Sequence, residues 1–286
     1  MMSKIFDVYL KAMAEGKEYG VSSQDIRILI AHEMGYEAQI DTIYHKDEEF
    51  TKENEFKGDF AKLLSGMPVE YVIKSATFLQ HKLYVDERVL IPRMETEELV
   101  ANISETITDY YDPRNYLVCA DIGTGSGCIA IALKSLFPNW LITGSDVSGE
   151  ALEVAKMNAR TYGGGINFLQ GRSLEPFIKA NMNLDIIVSN PPYIINREEV
   201  QDSVRLYEPK EALYMDKEAS VYEDIFANYE KVMRGSLLMF FEIGYDLEDY
   251  LTGLMKRYLK HYDYKFIKDL NGLTRFLVVS IEEEIL

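Results

Sequence analysis

The densest chemistry in this sequence lies between positions 121 and 193. Asp121-Ile122 runs into Gly123-Thr124-Gly125-Ser126-Gly127, and Cys128-Ile129-Ala130-Ile131-Ala132-Leu133 continues with helical composition. Alternate glycines let a strand-to-helix turn tighten, and they let a ligand lie against bare backbone beside a helix N-terminus. Gly125, Gly127 and Ala130 also satisfy the loose dinucleotide-binding fingerprint. Asp146 closes the next apolar run, where a carboxylate can accept hydrogen bonds from ribose hydroxyls; the same place suits a helix cap, as does Ser148. Taken together, the glycines and Asp146 indicate an adenosyl cofactor, and both NAD and S-adenosylmethionine carry that ribose. A second loop, Ser189-Asn190-Pro191-Pro192-Tyr193, follows the apolar run Asp185-Ile186-Ile187-Val188. Prolines after a strand are ordinarily no more than a stop.

Asn-Pro-Pro-Tyr in this position resembles the amino-methyltransferase motif. The resemblance implies a substrate whose nitrogen is a planar, conjugated NH2, either an adenine amine or a glutamine side-chain amide. Such a nitrogen is a poor nucleophile because its lone pair is delocalised. With the Asn190 side-chain oxygen and the Pro191 carbonyl accepting its two N–H bonds, positive charge developing on nitrogen is stabilised and the lone pair faces the sulfonium methyl. Tyr193 is then placed to stack on the planar group, and Pro192 completes the substrate loop. Asn190, Pro191 and Tyr193 are the catalytic candidates, and S-adenosylmethionine is preferred over NAD because a dehydrogenase leaves Asn190–Tyr193 without a task. Cofactor contacts are expected from Gly123, Thr124, Gly125, Ser126, Gly127, Asp146, Arg172, Ser173 and Asn190.

The elements that must hold these loops are readable from apolar patterning. Strands are predicted at Tyr116–Ile122, Leu141–Val147, Ile166–Gln170, Asp185–Ser189, Leu237–Ile243, Lys265–Lys268 and Arg275–Ile281, with helical stretches between most of them. This pattern is α/β, a doubly wound, mostly parallel sheet. Only Asp269–Thr274 joins the last two strands, too short for a parallel crossover, so an antiparallel pair should end the sheet. A helix is expected from Glu95 to about Tyr110. Before it, short apolar clusters between Thr77 and Arg93 suggest a β-hairpin linker over 76–93. Residues 1–75 read as a small helical domain, with Ser3 capping a helix that ends at Gly16. Ser22 or Ser23 caps a second helix stopped by Gly35, and a third runs from Thr51 to Gly66.

The 286 residues suffice for two domains with ordinary cores, and 30 Lys and Arg against 47 Asp and Glu give a formal net charge of −17. A surface that negative disfavours a sequence-independent grip on nucleic acid. Cys119 and Cys128 cannot build a disulfide framework, and the four histidines lack metal-ligand spacing, so no metal is expected and a reducing cytoplasm fits. Both cysteines read as small core residues. No apolar run approaches a membrane span, and the N-terminal residues lack a signal-peptide pattern. The acidic stretches Asp47-Glu48-Glu49 and Glu282-Glu283-Glu284 read as solvated faces.

Over nearly its whole length the chain resembles the HemK/PrmC family of N(5)-glutamine methyltransferases, which modify the Gly-Gly-Gln loop of peptide chain release factors. The resemblance begins with Gly66-Met67-Pro68-Val69-Glu70-Tyr71, Leu90-Ile91-Pro92-Arg93 and Glu95-Thr96-Glu97. It continues through the Asp121–Gly127 loop, Asn190–Tyr193, Val204-Arg205-Leu206-Tyr207-Glu208-Pro209 with Ala212-Leu213, Phe241-Glu242-Ile243-Gly244 and Asp269-Leu270-Asn271-Gly272. It implies a helical substrate-recognition domain over 1–75, the hairpin linker over 76–93, and a Rossmann-like seven-stranded methyltransferase domain over 94–286. It further implies methyl transfer from S-adenosylmethionine to the glutamine amide of release factors by a cytoplasmic monomer, with no direct nucleic-acid partner. Two departures stand out. Gly171-Arg172-Ser173 replaces the family's usual acid near the adenine, so Arg172 either stacks there or turns outward. Met94 stands where proline is common. Arg93, Thr96 and Glu97 serve either as surface and cap residues or at the mouth of the site. Two other readings stay open: an adenine-N6 methyltransferase acting on DNA or RNA, and a catalytically silent binding protein on the same scaffold.

Overall fold

The computed structural model describes residues 3–112, 114–195, 200–216 and 220–282. The chain divides into two compact units: residues up to Ser75 together with Val200–Tyr207, and the chain from Ala76 onward without that segment.

The first unit is helical. Its core is formed by Ile5, Ala12, Ile26, Leu29, Ile30, Phe50, Phe56, Phe60, Leu63, Val69 and Val72. These residues come mainly from the helices Ile5–Gly16, Ser23–Met34 and Glu53–Leu64, whose apolar positions recur at helical spacing. Ser22 caps the second helix by accepting the Asp25 N–H at 3.0 Å, and Gly35 ends it in the left-handed conformation. Ser3 does not cap the first helix. Lys4 holds the cap position, and the Ser3 carbonyl accepts from Phe50 N at 2.8 Å, which ties the N-terminal end to the 48–50 segment. Two further helices, Asp41–Tyr44 and Val69–Ile73, are too short to leave a periodic signal in the sequence. Tyr207 joins this unit by donating its hydroxyl to the Ser65 carbonyl at 3.0 Å.

The second unit opens with a two-stranded antiparallel hairpin, β1 (Ala76–Phe78) and β2 (His81–Leu83). The strand character expected up to Ile91 stops there. Val89 and Ile91 are buried, yet their N–H groups go to the Asp86 carbonyl and to the Glu208 carboxylate rather than to a neighbouring strand. The hairpin and the segment after it are fastened to the helix Gly149–Thr161. The Tyr162 hydroxyl bridges Lys82 N and O, while Asn158 accepts from Tyr84 N at 2.8 Å and donates to Tyr84 O at 2.9 Å.

Seven strands form the main sheet: β3 (Val118–Ile122), β4 (Leu141–Asp146), β5 (Ile166–Gln170), β6 (Leu184–Ser189), β7 (Met233–Glu242), β8 (Tyr262–Lys268) and β9 (Thr274–Ile281). Their order is β5-β4-β3-β6-β7-β9-β8, parallel except for β9, which pairs antiparallel with both β7 and β8. Central strands buried on both faces explain the continuous apolar runs, and separate hydrophobic clusters gather the residues of alternate register. The register sets Ile122 opposite Ser145 and Ser189, and Ser189 opposite Phe241, so the carboxyl ends of β3, β4, β6 and β7 share one edge. The strand order reverses between β3 and β6, the place where open α/β sheets bind ligands.

Candidate active site

The loop after β3 is built around left-handed glycines. Gly123, Gly125 and Gly127 have φ of 74°, 52° and 84°. A Cβ at Gly127 would lie 3.3 Å from that of Ala155, so the loop can rest on the helix Gly149–Thr161 only without a side chain there. At Gly123 and Gly125, by contrast, a Cβ would meet nothing within 4 Å, and the backbone is open to a bound group. Thr124 turns inward and donates to Asp121 Oδ2 at 2.6 Å, and the Ala130 N–H reaches the same oxygen at 3.2 Å. Asp121 Oδ1 is buried with no partner among the described residues, as are Ser126 Oγ and Ser173 Oγ. Burial drives the Asp121 carboxyl up to about 7, against the opposing pull of Thr124 and Ala130 and with a further push from Asp146. A carboxyl raised in this way stabilises the fold fully below its unfolded value of about 4, and that contribution is lost as pH climbs through about 7. Asp121→Asn should therefore flatten the fall in melting temperature between about pH 5 and about pH 8. Parallel pH slopes in the variant and the parent would show that Asp121 remains ionised throughout.

Asp146, at the end of β4, does not cap the following helix; Ser148 does, accepting from Ala151 N at 3.1 Å. The Asp146 carboxylate instead accepts Gly125 N at 3.0 Å and Ser148 N at 2.9 Å, so it braces the glycine loop. Burial raises its pKa, and those N–H donors counteract the rise. Each carboxylate oxygen keeps a further lone pair, as a ribose diol requires. Open glycine backbone, a half-buried acceptor and unpaired buried hydroxyls suit an adenosyl group. After β5, Arg172 is exposed, while Ser173 is buried with φ of 50°.

After β6, Ser189 donates to Ile122 O at 2.7 Å, locking the ends of β6 and β3 together just before Asn190. Asn190 Nδ2 donates to Thr96 Oγ1 at 3.0 Å, and Thr96 Oγ1 donates to Glu242 Oε2 at 2.7 Å. The Tyr193 hydroxyl reaches the other oxygen, Glu242 Oε1, at 3.1 Å. Among the described residues no donor meets Asn190 Oδ1 or the Pro191 carbonyl. The Tyr193 ring is half-buried against the core, with the Arg275 guanidinium 6.0 Å from its centre. Arg275 is steered by Asp269, whose carboxylate it meets at 3.5 Å. The loop beyond Tyr193 is carried by a parallel bridge between Ile194 and Tyr214. Nearby, buried Glu208 pairs with Arg93 and accepts Ile91 N at 3.3 Å.

The structure thus gathers Gly123–Gly127, Asp146 and Asn190–Tyr193 at one edge of the sheet. Thr96, Asp121, Asn158, Glu208 and Glu242 were not foreseen as parts of this arrangement, although Thr96 had been left open. For Asp121 and Glu242 the signal was an acid inside or at the end of an apolar run, as in Leu237-Leu238-Met239-Phe240-Phe241-Glu242, since a buried polar group is the informative exception; Thr96, Asn158 and Glu208 stand in no such run and left no such signal. Burial pushes the Cys128 thiol up to about 12 and that of Cys119 well above its ordinary value, so both stay protonated; Cys119 is a core residue, whereas Cys128 is only partly buried against the core. Among the described residues no group of three His, Cys, Asp or Glu could hold a metal ion, and no helix is long and apolar enough to cross a membrane. Asp47, Glu48, Glu49 and Glu282 are exposed; Glu283 and Glu284 lie outside the described residues.

Sheet order and the loop at its switch point define a Rossmann-like fold, and comparison with known proteins makes it that of an S-adenosylmethionine-dependent methyltransferase. The family model described as "Methyltransferase small domain" matches residues 99–237. A methyltransferase structure from Pyrococcus furiosus shares the fold with a TM-score of 0.50 at 18% identity, covering 78% of this chain and 98% of that one. The release factor glutamine methyltransferase of Enterococcus faecalis is 34% identical over 98% of this chain and 100% of its own length. That of Bacillus subtilis is 32% identical over 99% of both chains. The chain belongs to the release factor glutamine methyltransferase family.

Proposed function

We propose that this protein transfers the methyl group of S-adenosylmethionine to the side-chain amide nitrogen of the glutamine in the Gly-Gly-Gln loop of peptide chain release factors. The observation that carries this reading is the pair of unoccupied acceptors, Asn190 Oδ1 and the Pro191 carbonyl, at the end of β6, in a chain whose likeness to its relatives spans the helical unit as well as the sheet. When bound, S-adenosylmethionine supplies an electrophilic methyl on sulfur. Asn190 and Pro191 accept the two N–H bonds of the glutamine amide, orient its nitrogen and stabilise the charge that grows there. No base has to act first, because the nitrogen becomes acidic only as the methyl arrives; the proton then passes to solvent. Tyr193 and Pro192 bound the planar amide.

In the same reading, residues 1–75 recognise the release factor, 76–93 link, and 94–286 carry the chemistry. Gly123–Gly127, Asp146, Ser173 and Asn190 hold the cofactor, with Arg172 at the adenine end. The protein acts as a cytoplasmic monomer without contacting nucleic acid directly. Incubation with labelled S-adenosylmethionine and purified release factors, followed by mass mapping, should place the label on that one glutamine. Label in DNA or RNA adenine, with none in release factors, would transfer the assignment to the adenine-N6 reading.

Asp146→Ala should weaken S-adenosylmethionine binding by roughly 1.5–3 kcal/mol, the scale of hydrogen bonds to a charged group. Equal affinity by calorimetry would reduce Asp146 to a brace for Gly125. Arg172→Asp restores the family's acid at the adenine end, and tighter cofactor binding is expected; weaker binding would give the arginine its own role there, and unchanged binding would mean that it points away from the site.

A further inference from the structure

Buried Glu242 carries no role in the mechanism above, yet it ends the hydrogen-bond chain that leads to Asn190. We propose that Glu242 and Thr96 are positioning residues for methyl transfer, which together dictate that Asn190 turns its oxygen, and not its NH2, toward the substrate. The inference rests on the assignment of Asn190 Oδ1 to the glutamine amide.

Proton counting carries the argument. A carboxylate only accepts, a threonine hydroxyl has one proton, and a primary amide presents an acceptor on one edge and donors on the other. Ionised Glu242 takes the Thr96 proton at 2.7 Å and the Tyr193 proton at 3.1 Å. Thr96 Oγ1, its proton spent, can then only accept, and the neighbour in reach is Asn190, 3.0 Å away, which must offer Nδ2. The opposite edge of the amide, Oδ1, is thereby turned away from Thr96. Thr96 and Glu242 are both buried, so water does not compete for these bonds.

Protonated Glu242 removes the constraint. Its O–H can donate to Thr96, Thr96 can donate to Asn190 Oδ1, and the reversed amide then opposes N–H to the substrate's own N–H. The groups facing Glu242 set where this happens. Glu95 and Thr96 come from the helix Met94–Tyr110, Tyr193 from the loop after β6, and Arg275 from β9. Tyr222 of the helix Val221–Asn228 donates to the Glu242 backbone carbonyl at 2.7 Å, and Cys128 begins the helix after the glycine loop. Burial raises the Glu242 carboxyl and Glu95 adds to the rise, while Thr96, Tyr193 and Arg275 oppose it, leaving it at about 7. Tyr193, Tyr222 and Cys128 are themselves shifted upward and remain protonated across this range.

The test is kcat for methylation of a folded release factor between about pH 6 and about pH 8.5 in the parent, Glu242→Gln, Thr96→Val and Thr96→Ser. Thr96→Val should lower kcat by about 10–100-fold, the scale of a small misplacement, with KM for S-adenosylmethionine little changed, and Thr96→Ser should restore it. The parent should lose kcat below about pH 7, and Glu242→Gln should show a lower, pH-independent kcat. Equal rates in Thr96→Val and Thr96→Ser, an acid limb that persists in Glu242→Gln, or a flat parent profile, which needs no variant, would each overturn the proposal. A parent protein that methylates no release factor overturns the proposed function as well, whereas an active parent with indifferent variants overturns this inference alone.

Discussion

Asn190→Ala should lower kcat for methyl transfer by about 10²–10³, the scale for losing one preorganised partner of a developing charge, while S-adenosylmethionine affinity should stay within a few-fold of the parent. The separation follows from where each contact is placed. The Gly123–Gly127 loop and Asp146 end β3 and β4, whereas Asn190 ends β6 and offers its free oxygen where no described residue donates to it. Truncation at Asn190 also leaves Thr96 Oγ1 without the N–H it accepts, but that pair is neutral, and its loss is worth about 1 kcal/mol of stability. Single-turnover rates measured alongside calorimetric affinity check both halves of the expectation. Turnover near that of the parent would sink the proposed chemistry, and equal losses in rate and cofactor binding would make its cofactor contact, and not its free acceptor, the main task of Asn190.

Replacing the glutamine of the release factor's Gly-Gly-Gln loop should abolish methyl incorporation, because in the proposed reaction the acceptor nitrogen is then gone. The Asn190 and Pro191 acceptors require two N–H bonds on one planar nitrogen, a demand met by a primary amide and not by a carboxylate, an alcohol or an ammonium group. Glutamate at that position, which keeps the shape and removes both N–H bonds, is the sharpest variant. Mass mapping after exhaustive reaction reads the result directly. Full incorporation into the glutamate-bearing factor would show that the protein methylates elsewhere. Adenine satisfies the same two acceptors, so duplex DNA and RNA belong in the experiment as competitors. A net charge of −17 works against the phosphate contacts that either would need.

Much of the scaffold was legible because its signals are contiguous. Apolar runs marked all seven strands of the main sheet, and the short Asp269–Thr274 connection required the antiparallel pair seen between β8 and β9. Boundaries moved where pairing outran pattern: β7 begins at Met233 rather than Leu237. The segment 85–93 failed as a strand because its N–H groups found turn and side-chain acceptors, among them Glu208, which lies 117 positions from Ile91 and is invisible to any local window.

The candidate site divides along the same line. The turn at Gly123–Gly127 and the strand stop at Asn190–Tyr193 were legible locally, since a left-handed turn and a proline-stopped strand are properties of neighbours in the chain, while the task of Asn190–Tyr193 was suggested by its resemblance to a known motif. The direction in which Asn190 faces is not such a property. It depends on which protons remain on Thr96 and Glu242, residues 146 positions apart that meet because the helix Met94–Tyr110 packs on β7, whose pairing with β6 sets Ser189 opposite Phe241 and so brings Glu242 beside Asn190. Residue identity determined which groups could accept an amide's protons. Sheet pairing and burial decided which of them are left free to do so, because a hydrogen bond is assigned only when donors and acceptors distant in sequence are shut away from water together.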